Sequence, residues 1–144
     1  MPTRTDRLQG VLLDTHIWVR LEAMTGPVSK QALMAIETAR SEQSVYVSII
    51  SVWELAMLVA RKRLHLDLPI RKWVEGAFEQ PDIQLLPLAP DVAIEAAELQ
   101  KPMYKDPADR MIVASAHIEG LTLITADRPM LSYAKSAGLR CIQG

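Results

Sequence analysis

Four times along this chain a short apolar, β-branched run gives way, within a residue or two, to a pattern of helical period. "GVLLD" runs into "THIWVRLEA", "SVYVSII" into "SVWELAMLVARKRL", "IQLLPL" into "PDVAIEAAELQK", and "LTLIT" into "DRPMLSYAKSAG". Runs of this kind read as strands buried on both faces, and an intervening helix is the connection that parallel strands need. The alternation predicts an α/β chain with a central parallel sheet covered by helices on both faces. "LRCI" is a last strand. Further helices are expected over residues 29–42, with Leu33, Ile36 and Ala39 at helical spacing, over "LPIRKWVEGAFEQ" entered at Pro69, and over "DPADRMIVASAHIEG" closed by Gly120. The first helix should stop near Gly26 and Pro27, and Pro102 should end "PDVAIEAAELQK".

The chain of 144 residues suits a single domain over residues 1–144, and 49% hydrophobic residues suffice for a packed core. A net charge of −1 gives no global basic field, so a polyanion would have to be held by local Arg and Lys. The one cysteine, Cys141, cannot form an internal disulfide, which fits a reducing cytosol. "MPTRTDRLQG" has no apolar signal core, and no apolar run approaches the roughly 18 residues of a membrane span. A soluble cytoplasmic protein without membrane attachment is expected.

Acids recur at the strand-to-helix junctions. Asp14 follows the first strand, Glu54 falls in the first turn of the expected helix after the second, and Asp127 follows "LTLIT". Asp109 lies in the first turn of "DPADRMIVASAH". Taken singly, each reads first as a helix-start residue, where unpaired N–H groups and the positive end of the dipole favour a carboxylate. "SVWE" has the form of a capping box between Ser51 and Glu54, and in "DPAD" Asp106 can cap while Pro107 takes the first helical position. Two details favour more than capping. Glu54 is the only charge in "SVWELAMLVA", so it faces burial, and an unpaired buried carboxylate is costly. Asp109 shares the inward stripe of Ile112, Val113 and Ala116.

In an open parallel sheet the carboxyl ends of the strands share one edge, and Asp14, Glu54 and Asp127 belong there. If Asp109 joins them, like charges at about 4 Å repel by roughly 4 kcal/mol per pair at an effective dielectric of 20. Either protons stay on or a cation sits among them. Oxygen ligands without Cys or His favour Mg2+ or Mn2+. Such a centre suits phosphodiester hydrolysis by an activated water. Thr125, two residues before Asp127, is a candidate for orienting that water or the metal, beside its plainer reading as a strand threonine; Thr15 invites the same two readings.

"VLLDTHIW", "SIISVWELAMLVARKRL", "DPADRMIVASA" and "LITADRPM" stand in this order, and together they resemble the motifs of PIN-domain ribonucleases, above all the VapC-type toxins of toxin–antitoxin pairs. The resemblance runs from about residue 10 to 142. It implies a three-layer α/β/α sandwich, Mg2+- or Mn2+-dependent endoribonuclease activity on RNA, a cognate antitoxin that covers the active site, and a homodimer. It places the acidic quartet on Asp14, Glu54, Asp109 and Asp127, and the hydroxyl before the last acid on Thr125. Asp106 belongs to the same block, with capping its first reading. Ala108 departs from the pattern, where relatives often carry a large apolar residue.

Arg110 is the candidate phosphate contact by position, though it could instead pair with Asp106 or another acid. Lys105 and Arg128 also flank the acids. Arg61, Lys62 and Arg63 read first as a solvated helix end, with Arg71 and Lys72 close behind. Trp18, Trp53 and Trp73 sit in apolar helical patterns and read as core or interface residues before base-stacking ones. His16, His65 and His117 show no metal-ligand spacing. Residues 20–33 and 61–78 are candidates for protein contacts. Two other enzyme classes fit poorly: His16 stands where a haloacid-dehalogenase-like phosphatase needs a second aspartate, and "DTHIW" lacks the glycines of a dinucleotide-binding turn. Two rivals stay open on these residues: a metal-dependent phosphatase of another kind, and a non-catalytic interaction module on the same fold.

Overall fold

The computed structural model describes residues 10–99 and 106–144. Among these residues five strands pair in parallel: β1 (Val11–Leu13), β2 (Val45–Ser48), β3 (Ile83–Leu86), β4 (Thr122–Thr125) and β5 (Cys141–Gln143). Their order across the sheet is β3-β2-β1-β4-β5. Strands are added on one side of β1 and then on the other, so the order reverses between β1 and β4, and a crevice opens at their carboxyl ends. The described residues form seven helices between them: α1 (Thr15–Ala23), α2 (Lys30–Ser41), α3 (Ile49–Ala60), α4 (Ile70–Glu79), α5 (Pro90–Glu98), α6 (Pro107–Glu119) and α7 (Arg128–Ser136).

The period of two along β1 explains the three layers. Val11 and Leu13 point to one face, where Ile17 and Trp18 of α1, Ile36 of α2, Leu55 of α3 and Ala77 of α4 complete a core. Leu12 points to the other, against Ile112 and Val113 of α6 and Met130 and Tyr133 of α7. α5 lies outside α6, joined to it through Val92, Ala96 and Ala114. The α/β/α sandwich is therefore the one expected. Trp18 is fully buried and meets Trp73 edge-on at 5.2 Å and Phe78 at 5.6 Å, whereas Trp53 is 52% exposed and lies outside the core. Gly10 enters β1 at φ 130°, and a Cβ there would stand 2.0 Å from the Ser44 carbonyl oxygen, so only glycine lets the two chains approach this closely.

The structure shifts one boundary that matters. β2 stops at Ser48, and α3 begins at Ile49, with the Ser48 side chain accepting from the Ile50 N–H at 3.1 Å. The β-branched Ile49 and Ile50 suggest strand, but the serine cap and the packing of Ile50 against the α6–α7 face draw them into the helix. Ser51 and Glu54 therefore form no capping box, and Glu54 sits in the second turn. The same helix ends at Ala60, before "RKRL". Gly120 closes α6 in the left-handed conformation as expected, while Pro102 and Lys105 lie outside the described residues.

Candidate metal centre

Each acid is fixed by the local structure that its own sequence builds. Asp14 caps α1: its Oδ1 accepts the Ile17 N–H at 2.8 Å, and the strand behind it is held by the Asp14 N–H on the Ile124 carbonyl at 3.1 Å. Its Oδ2 accepts a short hydrogen bond from the Thr125 hydroxyl, which lies at the end of the neighbouring strand. Thr125 is fully buried and its oxygen in turn accepts the Asp127 N–H at 3.0 Å. Asp127 caps α7 through the Met130 N–H, also at 3.0 Å. One hydroxyl thus ties together the acids that end β1 and follow β4, across the point where strand order reverses.

The second group comes from α3 and α6. Glu54 is buried, and its Oε1 accepts from the Thr15 hydroxyl at 2.5 Å, while the Thr15 oxygen lies 2.8 Å from Ser51 Oγ. Asp106 caps α6 as expected, its Oδ1 accepting the Asp109 N–H at 3.1 Å. Capping uses one oxygen and does not remove the residue from the site. Carboxylate oxygens of Glu54, Asp106 and Asp109 all lie within 4.8 Å of one another. Asp106 is the member whose part the sequence left at capping. A spacing of three on a helix start signals a cap, and nothing in it reports which way the second oxygen turns.

The electrostatics follow from crowding and burial. Burial pushes the Asp14 carboxyl above its ordinary value, against the opposing hydrogen bonds from Thr125 and the Ile17 N–H. Burial likewise raises Glu54, and Asp106 adds to it, while Thr15 works the other way. Asp109 is pushed up to about 8, first by burial and then by Asp106, Glu54, Asp127 and Asp14. All of these acids therefore feel one another. Among the described residues His16 opposes the rise at Asp14 and Glu54, a minor influence on each. Among the described residues no lysine or arginine forms an ion pair with Asp14, Glu54, Asp106 or Asp109.

The donor set fits a hard divalent cation. It offers oxygens only and keeps its carboxylates in place through caps and buried hydroxyls. Arg110 does not point its described donors at this group. Its Nε donates to the Ala96 carbonyl at 2.8 Å, and one terminal nitrogen lies 3.2 Å from the carbonyls of Ala97 and Leu99. These bonds satisfy the open carbonyl end of α5. Ala108 is buried, and the small residue leaves the start of α6 intact.

An α/β/α sandwich with its acids gathered where β1 and β4 end is the architecture of a PIN domain. The PIN domain family matches residues 11–136, and the chain belongs to it. It is 35% identical to Ribonuclease VapC22 of Mycobacterium tuberculosis over 123 residues, which is 85% of this chain and 91% of that protein. It is similar in structure to FitAcB from Neisseria gonorrhoeae, with a TM-score of 0.62, 25% identity, and 92% of this chain and 96% of that one covered. The fold of DNA-bound VapBC from Salmonella typhimurium is also close, with a TM-score of 0.64 at 20% identity over 94% of this chain and 98% of the other.

Proposed function

We propose that this chain is a VapC-type endoribonuclease toxin, folded as one domain over residues 1–144, which cleaves RNA with Mg2+ or Mn2+. The observation that carries the reading is the approach of Glu54, Asp106 and Asp109 within 4.8 Å, beside an Asp14 anchored at both oxygens. Asp14, Glu54, Asp109 and Asp127 would hold the metal, with Asp106 joining them. A bound divalent ion would supply activation of water and neutralisation of charge at the scissile phosphate. The protein supplies position. Thr125 orients Asp14 and Asp127, so its part is to hold ligands in place; Thr15 does the same for Glu54. Burial and its acidic neighbours push Asp109 up to about 8, and a divalent cation held there would favour its carboxylate form. A non-catalytic module would have no use for so many crowded acids, since their repulsion lowers stability.

The partner reading rests on the relatives. The Salmonella typhimurium structure is a VapBC complex, and a solved toxin–antitoxin complex from Klebsiella pneumoniae has the same fold. An antitoxin for this chain would meet residues 20–33 and 61–78. Met24, Leu33 and Leu68 leave apolar surface exposed there. On α3 the exposed Ile49 and Trp53 stand one helical turn apart and suit a second copy of the chain. No helix among the described residues is long and apolar enough to cross a membrane.

Asp14→Asn tests the activity. It keeps the shape and the Ile17 cap while removing a ligand charge. Purified wild type should cleave RNA with Mn2+ or Mg2+, and the variant should lose at least about a hundredfold of that rate. Undiminished cleavage by the variant would overturn the assignment.

A further inference from the structure

Five of the chain's 16 lysines and arginines fall within residues 61–72, against one acid, Asp67, in a chain whose net charge is −1. Arg61, Lys62, Arg63, Arg71 and Lys72 are all exposed, and none of their side chains has an ion pair or hydrogen bond among the described residues. The dipole of α3 accounts for Arg61 and Arg63 at its end. It does not account for the other three. Lys62 takes the left-handed conformation at φ 58°, the place where a helix end favours glycine. Its N–H donates to the Val59 carbonyl at 3.0 Å, and the Arg63 N–H donates to the Leu58 carbonyl at 2.9 Å, a closure that glycine makes without strain. Arg71 and Lys72 stand in the first turn of α4, where the dipole opposes a cation. No acid offsets them in that turn, and no side chain caps it at Pro69. Positive charge is thus kept at three positions where the backbone alone disfavours it.

Both helix ends are tied to the metal centre. Arg61 follows Glu54 by seven residues, about 10 Å along the axis of α3. Trp73, next to Lys72, meets Trp18 edge-on at 5.2 Å, and Trp18 lies four residues beyond Asp14, about 6 Å along α1. We propose that these five cations hold the backbone phosphates of a single-stranded RNA that runs from the metal centre past the end of α3 to the start of α4. The proposal rests on the nuclease reading and adds to it the path of the substrate. An RNA carries a negative charge at each phosphate, and a near-neutral protein holds such a strand through a local cluster of cations. The open N–H groups in the first turn of α4 add donors for a phosphate oxygen. An acidic protein segment has the same sign of charge, but it would be repelled by the carboxylates that the patch borders, whereas a phosphate reaches them through the bound cation.

Binding of a fluorescent single-stranded oligouridylate to the metal-free full chain, followed by anisotropy over a series of salt concentrations, tests this. Each phosphate contact contributes about 0.7 to the slope of log affinity against log salt. Arg71→Gln with Lys72→Gln should lower that slope by about 1.4 and weaken binding at low salt by about tenfold. Lys62→Gly should lower it by about 0.7 while raising the urea midpoint of unfolding, a pairing that a purely structural lysine would not produce. The matched control Lys135→Gln with Arg140→Gln, at the far end of α7 and before β5, should leave the slope unchanged. Cleavage with Mn2+ is read in parallel. Cleavage by the wild type with an unchanged slope in the Arg71 and Lys72 variant would overturn this path and leave the nuclease reading standing. A lowered slope without wild-type cleavage would support the RNA contact and overturn the nuclease reading. An equal drop in the control, or unchanged RNA binding with weakened binding of an oligoglutamate, would overturn the proposal, the latter in favour of an acidic protein partner.

Discussion

Asp14 does two jobs with its two oxygens. One closes the first turn of α1, and the other takes the Thr125 hydroxyl from the adjoining strand. Asp109 shows the opposite condition: its carboxyl is crowded by neighbours of its own sign and pushed up to about 8 from 3.8. The folded chain therefore holds this proton where the unfolded chain has released it. The stability that the retained proton contributes is complete below pH 3.8 and is lost as the pH climbs through about 8. Metal-free Asp109→Asn has nothing to titrate there. Its unfolding temperature at pH 8 should exceed that of the metal-free wild type by several degrees, with the gap closing toward pH 4. Differential scanning calorimetry across that range checks this, and a gap independent of pH would show that Asp109 is not the group responsible. Asp109 was legible as a site residue because Ile112, Val113 and Ala116 share its stripe. Asp106 was legible only as a cap, because the sequence carries helix phase but not the direction of a free oxygen.

At the scale of elements, caps explain most of what could be read in advance. Asp14, Asp106 and Asp127 each start the helix that the sequence assigned to them, and Gly120 stops α6. The start of α3 was hidden because Ile49 and Ile50 resemble a strand locally and are helical through the Ser48 cap and tertiary packing. α1 is the "THIWVRLEA" of the sequence reading, and its stop falls just before Gly26: the helix ends at Ala23, and Met24 takes the left-handed cap at φ 54° with 88% of its surface exposed. A methionine in that conformation costs about 1 kcal/mol relative to glycine. Met24→Gly should stabilise the isolated chain by about that amount in urea unfolding. A loss of stability would mean that the side chain supports the fold and is not kept for an outside contact.

Across the whole molecule the sheet order decides where chemistry gathers. Because β1 lies at the centre, with β2 and β4 on either side, the ends of three adjacent parallel strands deliver Asp14, α3 with Glu54, and Asp127 to one edge, and α6 brings Asp106 and Asp109 to meet them. Alternating strands and helices foretold that shared edge, while only the folded chain brings Asp106 within reach of Glu54. Helical spacing does not carry the described bonds of Arg110, which go to the open carbonyls at the end of α5. The most direct measurement is the anomalous difference density of a crystal grown with Mn2+ at neutral pH, collected on both sides of the manganese edge. A peak ligated by Asp14 or Asp127 together with Glu54, Asp106 or Asp109 is the expected result; a manganese-saturated crystal with no peak among those carboxylates would contradict it.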